Sequence, residues 1–246
     1  MDKRMRIGPL LKMPFRKRYD APRSDAVPEA PSMNRAKPDG PVITRPRTYL
    51  IAKRTMDVVI CAAGLVVLSP FLALVAIAIK IDSRGPIFFW QVRVGKDHRP
   101  FHCLKFRSMT ADAEKRRDEI AHLNEVDGPV FKIRNDPRVT RVGTWIRKGS
   151  IDELPQLINV VKGEMTLVGP RPPIPSEVQQ YQDWMLPRLS VTPGITCIWQ
   201  ISGRSNISFE QWMRMDLEYI DTCSVKQDIS ILLRTIPAVL FGRGAY

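Results

Sequence analysis

Apolar positions are distributed very unevenly along the 246 residues. Val58 to Ile79 is a run of 22 residues without a formal charge, with Lys53 and Arg54 before it and Lys80 and Arg84 after it. As a helix this run is roughly 33 Å long, about the thickness of one hydrocarbon core. Ser69-Pro70 lies near its middle. Proline removes a backbone donor and presses on the carbonyl one turn earlier, so a break is expected there. The Ser69 hydroxyl is placed to serve a freed carbonyl and make the break tolerable in lipid. Positive residues stay on the cytoplasmic side, and here they flank both ends. Two arms of about ten residues, each reaching roughly 15 Å, would enter and leave by one face. The residues alone leave two readings open: a single span with a tolerated proline, and a re-entrant helix-break-helix.

Beyond the apolar run the pattern changes period. Pro86 to Val94 (PIFFWQVRV) and Pro100 to Met109 (PFHCLKFRSM) read as two strands of a hairpin around Gly95-Lys96-Asp97. Thr110 to Leu123 reads as a polar, solvated helix, Val130 to Ile133 as a short strand, and Asn135-Asp136-Pro137 as a turn. A helix is expected over Ser150 to Val161, stopped by Gly163, and a short apolar strand before VGPRPP. Ser208 to Thr222 places Phe209, Trp212, Met213, Leu217 and Ile220 on one helical face. Asp228 to Phe241 is a strongly apolar helix containing Pro237, suited to lying on a membrane surface. Met1 to Arg47, rich in Pro, Arg, Lys and Asp, has no such periodicity and reads as a disordered basic tail. The expected fold class is α+β, mainly helical, with a small β-hairpin. Its divisions are a tail over 1–50, a membrane helix over 51–84 and a cytosolic domain over 85–246.

Charge sharpens this division. The formal net charge is +13, and residues 1 to 54 carry 14 Lys/Arg against 5 Asp/Glu. Such an excess suits an anionic leaflet or a nucleic acid. No basic motif interleaved with aromatics accompanies it, so no nucleic-acid partner is expected. Cys61, Cys103, Cys197 and Cys223 form no CxxC pair and read as reduced packing residues. No cleavable leader is expected, because the first 50 residues lack an apolar core. His98 and His102 have HxxxH spacing, but Pro100 between them argues against a helical metal site.

The stretch richest in candidate chemistry is RKGSIDELPQLINVVKGEMTLVGPRPP, Arg147 to Pro173. Ser150 to Glu153 fits a capping box, with Asp152 and Glu153 in the first helical turn. The plain reading of these acids is a good helix start. A second reading comes from the cations that bracket them: Arg147, Arg171, and Lys105 and Arg107 at the end of the second strand. With Mg2+ bound by the acids, this set suits a phosphorylated substrate, one acid ligating the ion and the other attacking phosphorus.

From about Lys53 to Tyr246 the chain resembles bacterial sugar transferases of the monotopic phosphoglycosyl transferase family. The resemblance is carried, in order, by Ser69-Pro70, LKFRSM at 104–109, IDELPQLINVVKGEMTLVGPRPP, PGIT at 193–196, WQISGR at 199–204 and the terminal GRGAY. It implies transfer of a sugar 1-phosphate from a UDP-sugar to polyprenol (undecaprenyl) phosphate, with release of UMP, to start an exopolysaccharide or related glycan. It implies that Asp152 is the nucleophile, forming a phosphosugar adduct, and that Glu153 with Asp152 holds Mg2+. By the same resemblance Arg147 and Arg171 face phosphates, Lys105, Asp216 and Asp228 belong to the substrate site, and Gln200 and Arg204 contact the nucleotide; Arg107 joins the substrate site on its charge alone. It further implies a re-entrant helix, a catalytic domain with interfacial helices, and a place on the cytoplasmic face of the bacterial inner membrane among its lipids. Homo-oligomerisation and the identity of the sugar are left open. Thr192 and Cys197 depart from the family pattern, which often has a cation before PGIT and a glycine after it. The rival reading is a non-enzymatic membrane adaptor that binds anionic lipid.

Overall fold

The structure, a computed structural model, describes residues 45–125, 128–203 and 207–240. Most of the tail, Arg204 and the GRGAY terminus lie outside these residues.

Helix α1 (Arg47–Asp82) takes in the whole apolar run in 36 residues. It continues through Pro70, where a break was expected. The Ser69 hydroxyl donates to the Val66 carbonyl at 2.8 Å. That carbonyl lies four residues before Pro70, so it is the acceptor that a normal N–H at position 70 would serve. Local replacement of one missing donor lets the helical path persist.

Both ends of α1 pack on the same body of protein. Near its start, Asp57 accepts from the Thr166 hydroxyl at 2.6 Å and the Leu167 N–H at 3.1 Å. One turn further, Cys61 is buried beside Val160, Met165 and Leu167. Near its end, Val75 and Ile79 pack with Phe106 and Ile146. Between these anchored stretches Val66, Val67 and Leu74 are 74%, 75% and 65% exposed, the pattern of a surface meant for an apolar medium rather than water.

Strands β1 (Phe88–Val94) and β2 (Pro100–Phe106) form the expected antiparallel hairpin, with Phe88 opposite Phe106 and Val94 opposite Pro100. The next segment departs from expectation. Residues 110–123 form turns that end in a 3-10 helix at Asp118–Leu123, because the segment has no apolar stripe to bury. Residues 130–133 make no strand, although the Lys132 carbonyl accepts from the Glu125 N–H. An unexpected helix, α2 (Arg141–Lys148), starts at Thr140, whose hydroxyl accepts from the Gly143 N–H at 2.9 Å.

Helix α3 (Gln156–Lys162) ends at Gly163, which adopts φ 87°. Strand β3 (Thr166–Val168) pairs in parallel with β4 (Gly194–Thr196), a second small sheet beyond the expected hairpin. The close approach there requires glycine: a Cβ on Gly194 would fall 2.1 Å from the Gly169 nitrogen. Helix α4 (Pro175–Val178) and a 3-10 segment (Asp183–Ser190) separate these strands. Helices α5 (Ile198–Ser202), α6 (Phe209–Thr222) and α7 (Val225–Leu240) follow. On α6, Ser208 caps the N-terminus and Trp212, Met213 and Ile220 are buried, as the periodicity indicates. On α7, Ile229, Leu233 and Ile236 form an exposed apolar stripe.

Candidate active site

The acidic pair sits on a turn rather than on a capped α-helix. Helix α2 ends at Lys148, and Ser150 takes a left-handed conformation, φ 54° and ψ 21°. Its side chain caps nothing, so the expected capping box is absent. Ile151–Glu153 form one 3-10 turn, and the α-helical path resumes only at Gln156, after Pro155. Glu153 does not reach back to Ser150; its carboxylate accepts from Lys105 Nζ at 2.6 Å. A lysine on β2 competes for that carboxylate more strongly than a backbone N–H would, because the hydrogen bond joins two charges.

The two acids have opposite proton affinities. Burial pushes the Asp152 carboxyl up, the neighbouring Glu153 charge pushes it further, and Lys105 and Arg147 oppose both, leaving it at about 6. Burial also raises Glu153, but Lys105, by charge and by hydrogen bond, with Arg171 and Arg93, more than offsets this and holds Glu153 below its ordinary value. At neutral pH both carboxylates are ionised, and Asp152 is the more basic of the two.

Arg171 is carried in by the Gly169–Pro173 loop. Its guanidinium lies 5.5 Å from the Trp212 ring centroid, and Nη1 is 3.6 Å from Glu177 Oε2. That Nη1 is buried and has no hydrogen-bond partner in the protein. A buried charged donor without an acceptor is costly, and a ligand oxygen would satisfy it. The backbone around Arg171 is held by two further arginines. Arg93 Nη1 donates to the Pro172 carbonyl at 2.8 Å, and Arg188 Nη2 donates to the Arg171 carbonyl at 2.9 Å. Arg188 is itself fully buried and paired with Asp216 at 2.6 Å.

The structure therefore gathers Asp152, Glu153, Lys105, Arg147 and Arg171, and adds Arg93, which sequence reasoning missed. Arg93 sits in an alternating strand pattern where a cation normally faces solvent, so no local signal marked it. Other candidates stand elsewhere. Arg107 turns to the end of α1, where Nη2 donates to the Ser83 carbonyl at 2.8 Å and the Ser83 hydroxyl at 2.9 Å, and Nη1 to the Arg84 carbonyl at 3.1 Å. Its guanidinium is a helix C-cap, not a ligand contact. Asp216 is occupied by Arg188, and Asp228 by Lys53, Tyr49 and Tyr219. Asp216 and Asp228 are fully buried; Asp216 reaches the Arg171 loop through Arg188, whereas the partners of Asp228 lie on α1 and α6. Gln200 lies on α5, its side-chain oxygen 3.4 Å from Cys197 Sγ. The neighbouring Trp199 packs 4.6 Å from Trp212, and so behind Arg171.

For a metal, the donor set is short: no cluster of three His, Cys, Asp or Glu occurs among the described residues. Two adjacent carboxylates facing a cationic rim fit an ion such as Mg2+, which takes one or two protein carboxylates and completes its shell with water and substrate phosphate.

Comparison with known proteins places this arrangement. The profile described as "Bacterial sugar transferase" matches residues 48–242. Galactosyl transferase CpsE of Streptococcus agalactiae is 45% identical over 199 residues, 80% of this chain and 44% of that protein. Exopolysaccharide production protein ExoY of Rhizobium meliloti is 38% identical over 200 residues, 80% of this chain and 88% of that protein. The UDP-glucose:undecaprenyl-phosphate glucose-1-phosphate transferase of Caulobacter vibrioides is 40% identical over 222 residues, 85% of this chain and 77% of that protein. The chain thus spans less than half of CpsE but most of ExoY. The match runs from the first turns of α1 to the end of α7 and includes every residue of the acidic pair and its cationic rim, so the chain belongs to the bacterial sugar transferase family.

Proposed function

We propose that this protein transfers a sugar 1-phosphate from a UDP-sugar to polyprenol phosphate and so initiates an exported glycan. The observation that carries this reading is the asymmetric acidic pair: Glu153 bound to Lys105 at 2.6 Å, beside an Asp152 whose carboxyl burial and the Glu153 charge push up. An Asp152 oxygen attacks the sugar-bearing phosphorus. The bond from that phosphorus to the bridging oxygen breaks, and UMP leaves with the electron pair. An oxygen of polyprenol phosphate then attacks the same phosphorus and displaces the Asp152 carboxylate, giving a polyprenyl diphosphate sugar. A carboxylate nucleophile divides one transfer between two bulky substrates into two simpler ones.

The cationic rim answers the charge of the diphosphate. Lys105, Arg147 and Arg171 balance phosphate oxygens, and Arg93 and Arg188 fix the loop that presents Arg171. Asp152 and Glu153 would hold Mg2+, which supplies charge neutralisation at the phosphates.

Although α1 is one helix through Pro70, we read it as entering and leaving the membrane by one face, with the site on the cytoplasmic face of the inner membrane. This rests on its two anchored ends: Asp57 and Cys61 pack on β3 and α3, Val75 and Ile79 on β2 and α2. A transbilayer span would carry these ends to opposite faces.

The test is UMP release by the purified full chain given a panel of UDP-hexoses, Mg2+ and polyprenol phosphate. Mass spectrometry under trapping conditions should find the sugar phosphate on Asp152. Turnover that survives Asp152→Asn would remove the covalent route, and absence of UMP with every sugar would favour the adaptor reading.

A further inference from the structure

A second cleft, of about 170 Å³, opens between the start of α1 and the β3–β4 side of the domain. None of its lining residues belongs to the acidic pair or its rim. Four cations line it: Arg45, Lys53, Arg54 and Lys96. Two carboxylates oppose them. Asp57 is engaged by Thr166 and Leu167, and Asp228, beneath Lys53, also accepts from Tyr49 and Tyr219. Four positive charges against two negative leave the cleft cationic in net charge, while Arg45, Lys53 and Arg54 are held in place by donating to the Ile220, Val168, Val160 and Val161 carbonyls. Its mouth adjoins an apolar surface: Leu50 lines it, Ile51 follows, and the two are 48% and 67% exposed.

A cationic recess beside an exposed apolar helix face has one natural complement, a negatively charged phosphate carried on hydrocarbon. We propose that this cleft is a headgroup site for a phosphate-bearing anionic lipid, whose chains lie along the first turns of α1. A free anion would gain nothing from Leu50 and Ile51, and a zwitterionic headgroup would gain little from the excess charge. Lys96 stands exposed at the lip and Thr192 lines the wall, so both can be changed without disturbing the buried bonds of the floor.

The experiment uses the full chain in neutral detergent micelles, with native mass spectrometry as the readout. Short-chain phosphatidylglycerol is the main probe; phosphatidylcholine, farnesyl phosphate and inorganic phosphate are its comparisons. One phosphatidylglycerol should be retained about tenfold more strongly than phosphatidylcholine. Lys96→Glu and Thr192→Glu should each weaken that retention about tenfold, while Asp152→Asn leaves it unchanged, which separates this site from the proposed reaction. Displacement by farnesyl phosphate but not by inorganic phosphate would support a lipid-borne phosphate and admit a polyprenyl source. Equal retention of phosphatidylcholine, equal competition by inorganic phosphate, or unchanged retention in both variants at wild-type melting temperature would each overturn the assignment.

Discussion

The Ser69 hydroxyl bonds the Val66 carbonyl at 2.8 Å, taking the place of the N–H that Pro70 lacks. Ser69→Ala would leave that carbonyl unserved in an apolar setting, a cost of roughly 1–3 kcal/mol. Pro70→Ala would restore the backbone donor and remove the reason for any bend. Cysteines introduced at Arg47 and Arg84, both exposed, should label from the same side of inverted vesicles in the wild-type background. Labelling from opposite sides would refute the re-entrant reading.

Activity should rise with pH through about 6 as Asp152 loses its proton, then level off. Lys105 lowers the proton affinity of both acids. Lys105→Met should therefore move this rising limb to higher pH as well as reduce the plateau, and Lys105→Arg should recover part of both. A pH-rate series on the three proteins checks the sign. A limb that stays in place in Lys105→Met would dissociate Lys105 from Asp152.

Asp152 should also leave a mark on stability. Its folded proton affinity exceeds that of an unfolded aspartate, so its favourable contribution is complete at low pH and is lost as pH rises through about 6. Asp152→Asn should be more stable than wild type at pH 8 by roughly 1–2 kcal/mol, allowing for partial solvent screening. The gain should vanish only by about pH 3, below the carboxyl's pKa in both states. Denaturant unfolding at the two pH values reads this directly.

The Arg188–Asp216 pair is a buried charge couple, with 1% exposure on each side chain. Arg188→Leu strands Asp216 in the interior and should cost about 3–5 kcal/mol. Because Arg188 also holds the Arg171 carbonyl, any protein that folds should show a raised KM for the UDP-sugar. Thermal melts with steady-state kinetics separate the two effects.

Chelation offers a fifth check. EDTA should abolish UMP release and Mg2+ restore it. Glu153→Gln should raise the Mg2+ concentration needed for half-maximal rate.

Much of this architecture was legible in the residues. The hairpin, the Gly163 stop and the buried face of α6 follow from short-range periodicity and turn chemistry. Asp152, Glu153, Lys105, Arg147 and Arg171 were marked as candidates by the charges that bracket the acids, and the family resemblance supplied the role of each. What escaped depends on tertiary choice. Ser150 matched a capping box, yet Lys105, 48 residues before Glu153, took the carboxylate. Arg107 looked like a phosphate ligand because it lies two residues after Lys105 at the end of the second strand, but the end of α1 claims its guanidinium. Arg93 carries no local mark, since only the folded loop reveals the Pro172 carbonyl it serves. The parallel pairing of β3 with β4 joins segments too short and too far apart for periodicity to find.

The double anchoring of α1 has a practical corollary. Asp57, Cys61, Val75 and Ile79 are all buried against the rest of the chain. The helix is therefore no detachable tether: trimming it to obtain a water-soluble fragment would strip neighbours from the clusters around Val160 and Leu167 and around Phe106 and Ile146. Solubilisation has to come from disguising the outward-facing residues between Val66 and Leu74, leaving the inward ones in place.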